Sequence, residues 1–165
     1  MPAVLKTNSG AGRDSVKHGK VVLAAIDDDP DLLALVSLAF GSDLELLTFA
    51  DPMDGLEAIR RRRPHIVLVD LVMPGVSGMD VLERVVQIDP AADVILMTAH
   101  YTTESAVESI KKGACDYLNK PFTSEQLRQR VAPLIAAAKR RQRAQQLDEE
   151  MLEACSLKAL SAATR

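Results

Sequence analysis

Tryptophan is missing from this 165-residue chain and aromatics make up only 3% of it, which argues against a stacking platform for single-stranded nucleic acid. Cysteine is nearly missing too. Cys115 and Cys155 stand far apart with no CxxC spacing, so neither a disulfide framework nor a zinc cage is expected, and a reducing cytoplasm is the default compartment. No apolar run approaches the ~20 residues of a membrane span, and the N-terminus has no secretory apolar segment. Basic charge is scarce in the body of the chain: residues 20–123 hold 17 Asp and Glu against 9 Lys and Arg. Residues 124–165 reverse the balance, with 5 acids against 8 bases, and residues 1–19 carry 1 acid and 3 bases. An acidic body argues against direct DNA binding and suits a divalent cation wherever carboxylates converge.

What the chain does have is hydrophobic material, 47% of its residues, arranged in a repeating pattern. Residues 1–19 show little apolar periodicity and read as a flexible arm. Val21–Ile26 is a short, β-branched apolar run of the kind a fully buried strand shows. Asp29-Pro30-Asp31 then opens a helix that Gly41 ends. The alternation continues with Leu44–Phe49, a helix from Asp51-Pro52 to Arg62, Ile66–Asp70, a helix over Met79–Ile88, Val94–Met97, a helix over Thr102–Lys112, Ala114–Leu118, and a last helix capped by Ser124. Pro133 falls inside that last helix and should kink or split it.

Five strands alternating with five helices predict an α/β fold: a flavodoxin-like, doubly wound, five-stranded parallel sheet with helices on both faces and a C-terminal helical extension. In such sheets function collects beyond the strand carboxyl ends. Asp27, Asp28 and Asp29 follow the first strand, Asp70 ends the third, Thr98 ends the fourth, and Lys120 follows the fifth. Adjacent carboxylates repel one another unless a cation neutralises them, and hard oxygen donors on a small site suit Mg²⁺. With a hydroxyl and an ammonium beside them, the set suits phosphoryl transfer with Asp70 as nucleophile.

Asp27-Asp28, the segment Val69-Asp70-Leu71-Val72-Met73-Pro74-Gly75, Met97-Thr98-Ala99 and the segment from Gly113 to Phe122 together resemble the receiver domain of two-component response regulators. The likeness covers residues 20–138 and leaves 139–165 as a helical tail or linker. It implies that Asp70 accepts a phosphoryl group from a histidine kinase or histidine phosphotransfer protein. It also implies that Asp28, Asp70 and the Val72 backbone carbonyl bind Mg²⁺ directly, while Asp27 acts through water. By the same likeness Thr98 and Lys120 contact the phosphoryl group, Tyr117 is an aromatic switch coupled to Thr98, Lys120–Pro121 is a cis peptide, and the chain is a signalling module rather than an enzyme. The face of the fourth helix, fifth strand and fifth helix is then where a homodimer or another partner would form.

Blander readings stand beside these. Asp29 is expected to be a helix-start acid, Thr98 could be a plain strand-end residue, and Tyr117 packs as well as switches. Arg60–Arg63 suit the negative end of a helix, His18 and His65 read as surface residues, and Cys115 reads as a small buried filler. Val72 and His100 flank the phosphoryl position; Val72 offers nothing to orient water and His100 is bulky, so a long-lived phosphate is expected. An aspartyl-phosphate phosphatase of the haloacid-dehalogenase type needs a second acid where Val72 stands, and a flavodoxin needs a Ser/Thr-rich loop after the first strand; both are lacking. An unphosphorylated pseudo-receiver is opposed by the intact Asp, Thr and Lys set. The tail, basic first and acidic later, has no sustained heptad register, and the chain reads either as a stand-alone receiver or as the receiver part of a longer regulator.

Overall fold

The computed structural model describes residues 19–164, so His18 and all but the last residue of the expected flexible arm lie outside the described residues. The element order is β1 (Val22–Ile26), α1 (Pro30–Phe40), β2 (Glu45–Phe49), α2 (Pro52–Arg62), β3 (Ile66–Asp70), α3 (Gly78–Ile88), β4 (Asp93–Thr98), α4 (Thr103–Lys111), β5 (Asp116–Asn119) and α5 (Ser124–Ala163). All strand pairs are parallel and the sheet runs β2-β1-β3-β4-β5, as the alternation predicts.

β1 and β3 are buried along their whole length, which is why their sequences have no polar face. Successive side chains feed opposite cores. Ala24, Ile26, Val67 and Val69 pack with α2 and α3 residues such as Leu56, Ile59, Val81 and Leu82. Leu23, Ala25, Ile66 and Leu68 pack with Val36 and Phe40 of α1 and Leu127 and Val131 of α5. Order reverses between β1 and β3, so the crevice at their carboxyl ends is the switch point of the sheet.

Each helix starts on a side-chain cap, and this sets the entry of the chain from each strand end. Asp29 Oδ1 accepts the Asp31 N–H at 2.9 Å, which makes Asp29 the expected helix-start acid. Asp51, Ser77 and Thr102 cap α2, α3 and α4 in the same way.

Four expectations need correcting. The cap of α5 is Thr123, not Ser124: Thr123 Oγ1 accepts the Gln126 N–H at 3.1 Å and Gln126 Oε1 accepts the Thr123 N–H at 2.9 Å, closing a capping box that Leu127 could not close for Ser124. Pro133 does not split α5, which continues to Ala163; Pro133 and Gln129, whose carbonyl loses its helical donor, are both exposed residues, a place where solvent can satisfy a freed acceptor. β5 begins only at Asp116, so Cys115 precedes the strand and is exposed rather than a buried filler. Partial burial of the thiol and the nearby Asp93 and Asp116 carboxylates push its pKa up to about 11, which leaves it inert as a thiolate.

His65 is the fourth correction, because it is half-buried and bonded rather than a surface residue. Its Nδ1 accepts the Val22 N–H at 3.0 Å, and its Nε2 lies 3.3 Å from the side-chain amide of Gln142 on α5. Arg141 bonds Asp93 at 3.1 Å, so β1, β3 and β4 are all tied to α5 at the end of the sheet opposite the carboxyl-end crevice. Burial first, and Arg141 second, lower the His65 pKa. The unfolded chain therefore takes up this proton more readily, and stability falls as pH drops below the unfolded value of about 6.5. His65→Asn keeps an acceptor without titrating; urea melts at pH 7 and pH 5.5 should show a smaller pH loss for this variant than for wild type. An equal loss in both would show that His65 does not carry it.

Candidate functional site at the strand carboxyl ends

Asp27, the residue after β1, is fully buried, and its two oxygens are both engaged. Oδ1 accepts the Asp29 N–H at 2.9 Å and Oδ2 accepts from Lys120 Nζ at 2.7 Å. Lys120, held beside β4 by its N–H bond to the Thr98 carbonyl, also reaches Asp70 Oδ1 at 3.3 Å. Asp70 is 6% exposed, and Asp28 faces solvent. One carboxylate oxygen each from Asp27, Asp28 and Asp70 falls within 4.8 Å of the others. Three carboxylates facing one ammonium leave a local excess of two negative charges, which a hard dication neutralises; carboxylate donors with an open, solvent-facing side suit Mg²⁺, which keeps several waters.

The protonation equilibria follow from the same geometry. Burial, and then the Asp27 charge, raise the Asp70 pKa, while Lys120 and the Val72 N–H pull it back. Burial alone would lower the Lys120 pKa, but its bonds and attraction to Asp27 and Asp70 outweigh this and hold the ammonium above its ordinary range. Asp70 is thus a carboxylate under strain from burial and repulsion, kept ionisable by one lysine.

Thr98, fully buried at the end of β4, accepts the His100 N–H on Oγ1 at 3.0 Å, which leaves its own hydroxyl proton free to point elsewhere. Tyr117 is buried on β5, its hydroxyl 2.8 Å from Ser105 Oγ of α4 and its ring set edge-on to Tyr101 at 5.5 Å. Val72 is 62% exposed and pairs with Ser77 in an isolated antiparallel bridge, while His100 is exposed. The Lys120–Pro121 peptide is cis.

Asp27, Asp28, Asp70 and Lys120 are therefore gathered into one ion cluster. Thr98 is linked to it by the backbone bond from Lys120, and Tyr117 lies beyond, against α4. Two structural supports escaped the sequence reading. Gly78, just before the helix expected over Met79–Ile88, is the first residue of α3 and lies so close to the end of β3 that a Cβ there would overlap the Asp70 carbonyl oxygen and sit 2.6 Å from Leu71 Cα. Ser105 carried no local signal, because its bond to Tyr117 spans the α4–β5 connection.

The order of the sheet and the carboxylates at its switch point define a doubly wound α/β module with an acidic site at its strand carboxyl ends. Residues 23–132 match the family model described as response regulator receiver domain, and the chain belongs to that family. It is 34% identical over 110 residues to the DNA-binding response regulator MtrA of Mycolicibacterium smegmatis, which spans 66% of this chain and 48% of that one. Over 102 residues it is 36% identical to the DNA-binding transcriptional regulator NtrC of Escherichia coli, covering 61% of this chain and 22% of NtrC. Among solved structures, the BeF3-activated DrrB receiver domain is 30% identical with a TM-score of 0.67, covering 72% of this chain and 99% of that one. The chain spans about half the length of the first curated relatives it matches. Receiver domains are signalling modules of two-component systems. Among the described residues no helix is long and apolar enough to cross a membrane.

Proposed function

We propose that residues 20–138 form a phospho-receiver in which Asp70 accepts a phosphoryl group, and that 139–165 is a helical extension. The observation that carries this is the Asp70 carboxylate: nearly buried, bonded to Lys120, and gathered with Asp27 and Asp28 where one dication balances the charge. Asp28, Asp70 and the Val72 carbonyl would ligate Mg²⁺, with Asp27 acting through water. The ion supplies charge neutralisation to phosphoryl oxygens. Asp70 Oδ attacks phosphorus in line, the O–P bond forms as the P–N bond to the donor imidazole breaks, and the imidazole leaves with its electron pair. Lys120 turns its ammonium from Asp70 to the incoming oxygens, and Thr98 donates its free hydroxyl proton to one of them. Departure of Thr98 from the His100 N–H is the event that the Tyr117 side of β5 would register.

The donor we propose is a histidine kinase or histidine phosphotransfer protein, acting in the cytoplasm. A groove of about 390 Å³ beside the site is walled by Leu32 and Leu35 of α1 and by Pro121 and Phe122, an apolar shelf on which a helical donor can rest with its histidine near Asp70. The output face we propose is α4–β5–α5, where Tyr101, Val107 and Ile110 are each about half exposed and a second copy or another protein could bind. The basic end of α2 offers little for direct DNA contact: Arg61 pairs with Glu57, Arg62 with Glu45, and Arg63 donates to the Ile88 carbonyl.

Intact mass after incubation with acetyl phosphate, with and without Mg²⁺, tests the reading. Wild type should gain one phosphate only with Mg²⁺, and Asp70→Asn should gain none. No gain from acetyl phosphate or from phosphorylated kinases, with Mg²⁺ bound, would make the chain an unphosphorylated interaction module. The exposed, apolar Val72 has no group to orient a water at the acyl phosphate, so hydrolysis should be slow. Val72→Asn should speed loss of label several-fold, and an unchanged or slower rate would overturn that assignment.

A further inference from the structure

Every residue from Arg143 of α5 to its C-cap Thr164 is exposed, and this stretch carries five large apolar side chains, Leu147, Met151, Leu152, Leu157 and Leu160, each at least 55% exposed. Most helical stability in proteins comes from packing of an amphipathic face, so an exposed stretch with these side chains is suited to packing against something else. On one face Ala137, Arg140, Ala144, Leu147, Met151 and Ala154 follow one another at steps of three and four residues, the spacing of a helix–helix seam. At its domain end this face opens into a groove of about 530 Å³ lined by Leu134, Ala137 and Ala144, with Arg140, Arg141 and the Asp93 bonded to Arg141 along its rim.

Charge along the helix is segregated. Lys139, Arg140, Arg141 and Arg143 come first, and Asp148, Glu150 and Glu153 follow within the next turns. A parallel pair in register would set Arg140 of one copy against Arg140 of the other in the seam. An antiparallel pair sets each block against the opposite block of its neighbour.

We propose that α5 pairs antiparallel with α5 of a second copy of this chain, about a two-fold axis near residue 146. With Ala144 opposite Leu147 of the second copy, Ala137 meets Ala154 and the Arg140 stem lies over Met151. Arg143 then flanks Glu150, and Asp148 enters the rim formed by Arg140 and Arg141. The contact is isologous, so each pair occurs twice and the interface closes at two copies. This surface lies on the C-terminal part of α5, past the Arg130–Asp116 pair where α5 flanks β5, and does not depend on phosphorylation of Asp70.

The full chain should sediment as a dimer at tens of micromolar in low salt and dissociate as salt rises. Arg143→Glu and Glu150→Arg should each weaken the dimer by about tenfold or more, since each reverses two contacts, and the double variant should recover most of the loss. Geometry gives a readout that no variant's folding can confuse. In Cys115→Ser protein spin-labelled at Cys155, the two labels sit about 28 Å apart in the antiparallel register, from the 1.5 Å rise per residue. A parallel pair would place them side by side. A monomer, a short Cys155–Cys155 distance, or a dimer indifferent to both charge reversals would each overturn the proposal.

Discussion

Lys120→Met is expected to destabilise the metal-free protein by about 3 kcal/mol, the order seen when one partner of a buried ion pair is removed. Asp27 is fully buried and Asp70 nearly so, and Lys120 is the one cation bonded to both among the described residues. Without it, two carboxylates face each other in a poorly solvated crevice with Asp28 at its mouth. On the usual scaling the melting temperature should fall by about 6–12 °C. Millimolar Mg²⁺ should return a large part of this loss, because the ion replaces the missing charge, and should stabilise wild type less. Asp70→Asn works in the opposite direction. It removes a charge that burial and Asp27 disfavour, so it should raise the metal-free melting temperature by a few degrees while reducing the response to Mg²⁺. The sign follows from the raised Asp70 pKa: the folded chain holds this proton more readily than the unfolded one, so this group's share of stability grows as pH falls through that value. Thermal melts of the three proteins with and without Mg²⁺ decide the matter. A Lys120→Met protein as stable as wild type without metal would mean that the ion cluster is not organised as described.

Gly78→Ala is the second large effect. A Cβ at this position would collide with the Asp70 carbonyl oxygen and the Leu71 backbone, groups that cannot rotate away, so the start of α3 or the end of β3 must move. A cost of about 2–3 kcal/mol is expected from forced backbone displacement, together with slower phosphate uptake because Asp70 itself is shifted. Gly75→Ala provides the contrast. Gly75 has φ +80° and open space around it, so that substitution should cost only the left-handed backbone preference, about 1 kcal/mol, and leave the acceptor in place. Equal urea midpoints and equal labelling rates for the two variants would contradict the close approach of α3 to Asp70.

Much of this was readable from residues because the chemistry sits where backbone topology puts it. Val21–Ile26 is a continuous apolar run followed by acids and Ile66–Asp70 one that ends in an acid, and a parallel sheet delivers such ends to one crevice, so Asp27, Asp28 and Asp70 converge without further information. Asp29 and Asp51 announced their helices through the following Pro. The Thr123 cap was also local, written in Gln126 three residues on, but the adjacent Ser124 offers the same hydroxyl chemistry and obscured it. The start of β5 was not local. Ala114 and Cys115 are apolar enough to extend the strand, yet pairing with β4 begins at Ile95 opposite Asp116. Least legible were contacts between distant segments: the bond from Ser105 to Tyr117, the hold of His65 on Gln142, and the steric demand on Gly78. Each depends on how close two elements come, which no single stretch of sequence records. The continuity of α5 through Pro133 belongs with these, since a proline is tolerated where the orphaned carbonyl meets water.

The measurement that bears most directly on the central claim is the location of the phosphoryl group. Protein incubated with acetyl phosphate and Mg²⁺ is treated with borohydride, which reduces an acyl phosphate to the alcohol, and is then mapped by peptide mass spectrometry. Reduction at position 70 alone, dependent on both phosphodonor and Mg²⁺, is the result predicted here. Label at Asp27 or Asp28, or on no carboxylate at all despite a protein that folds and responds to Mg²⁺, would contradict the assignment of Asp70 as the acceptor.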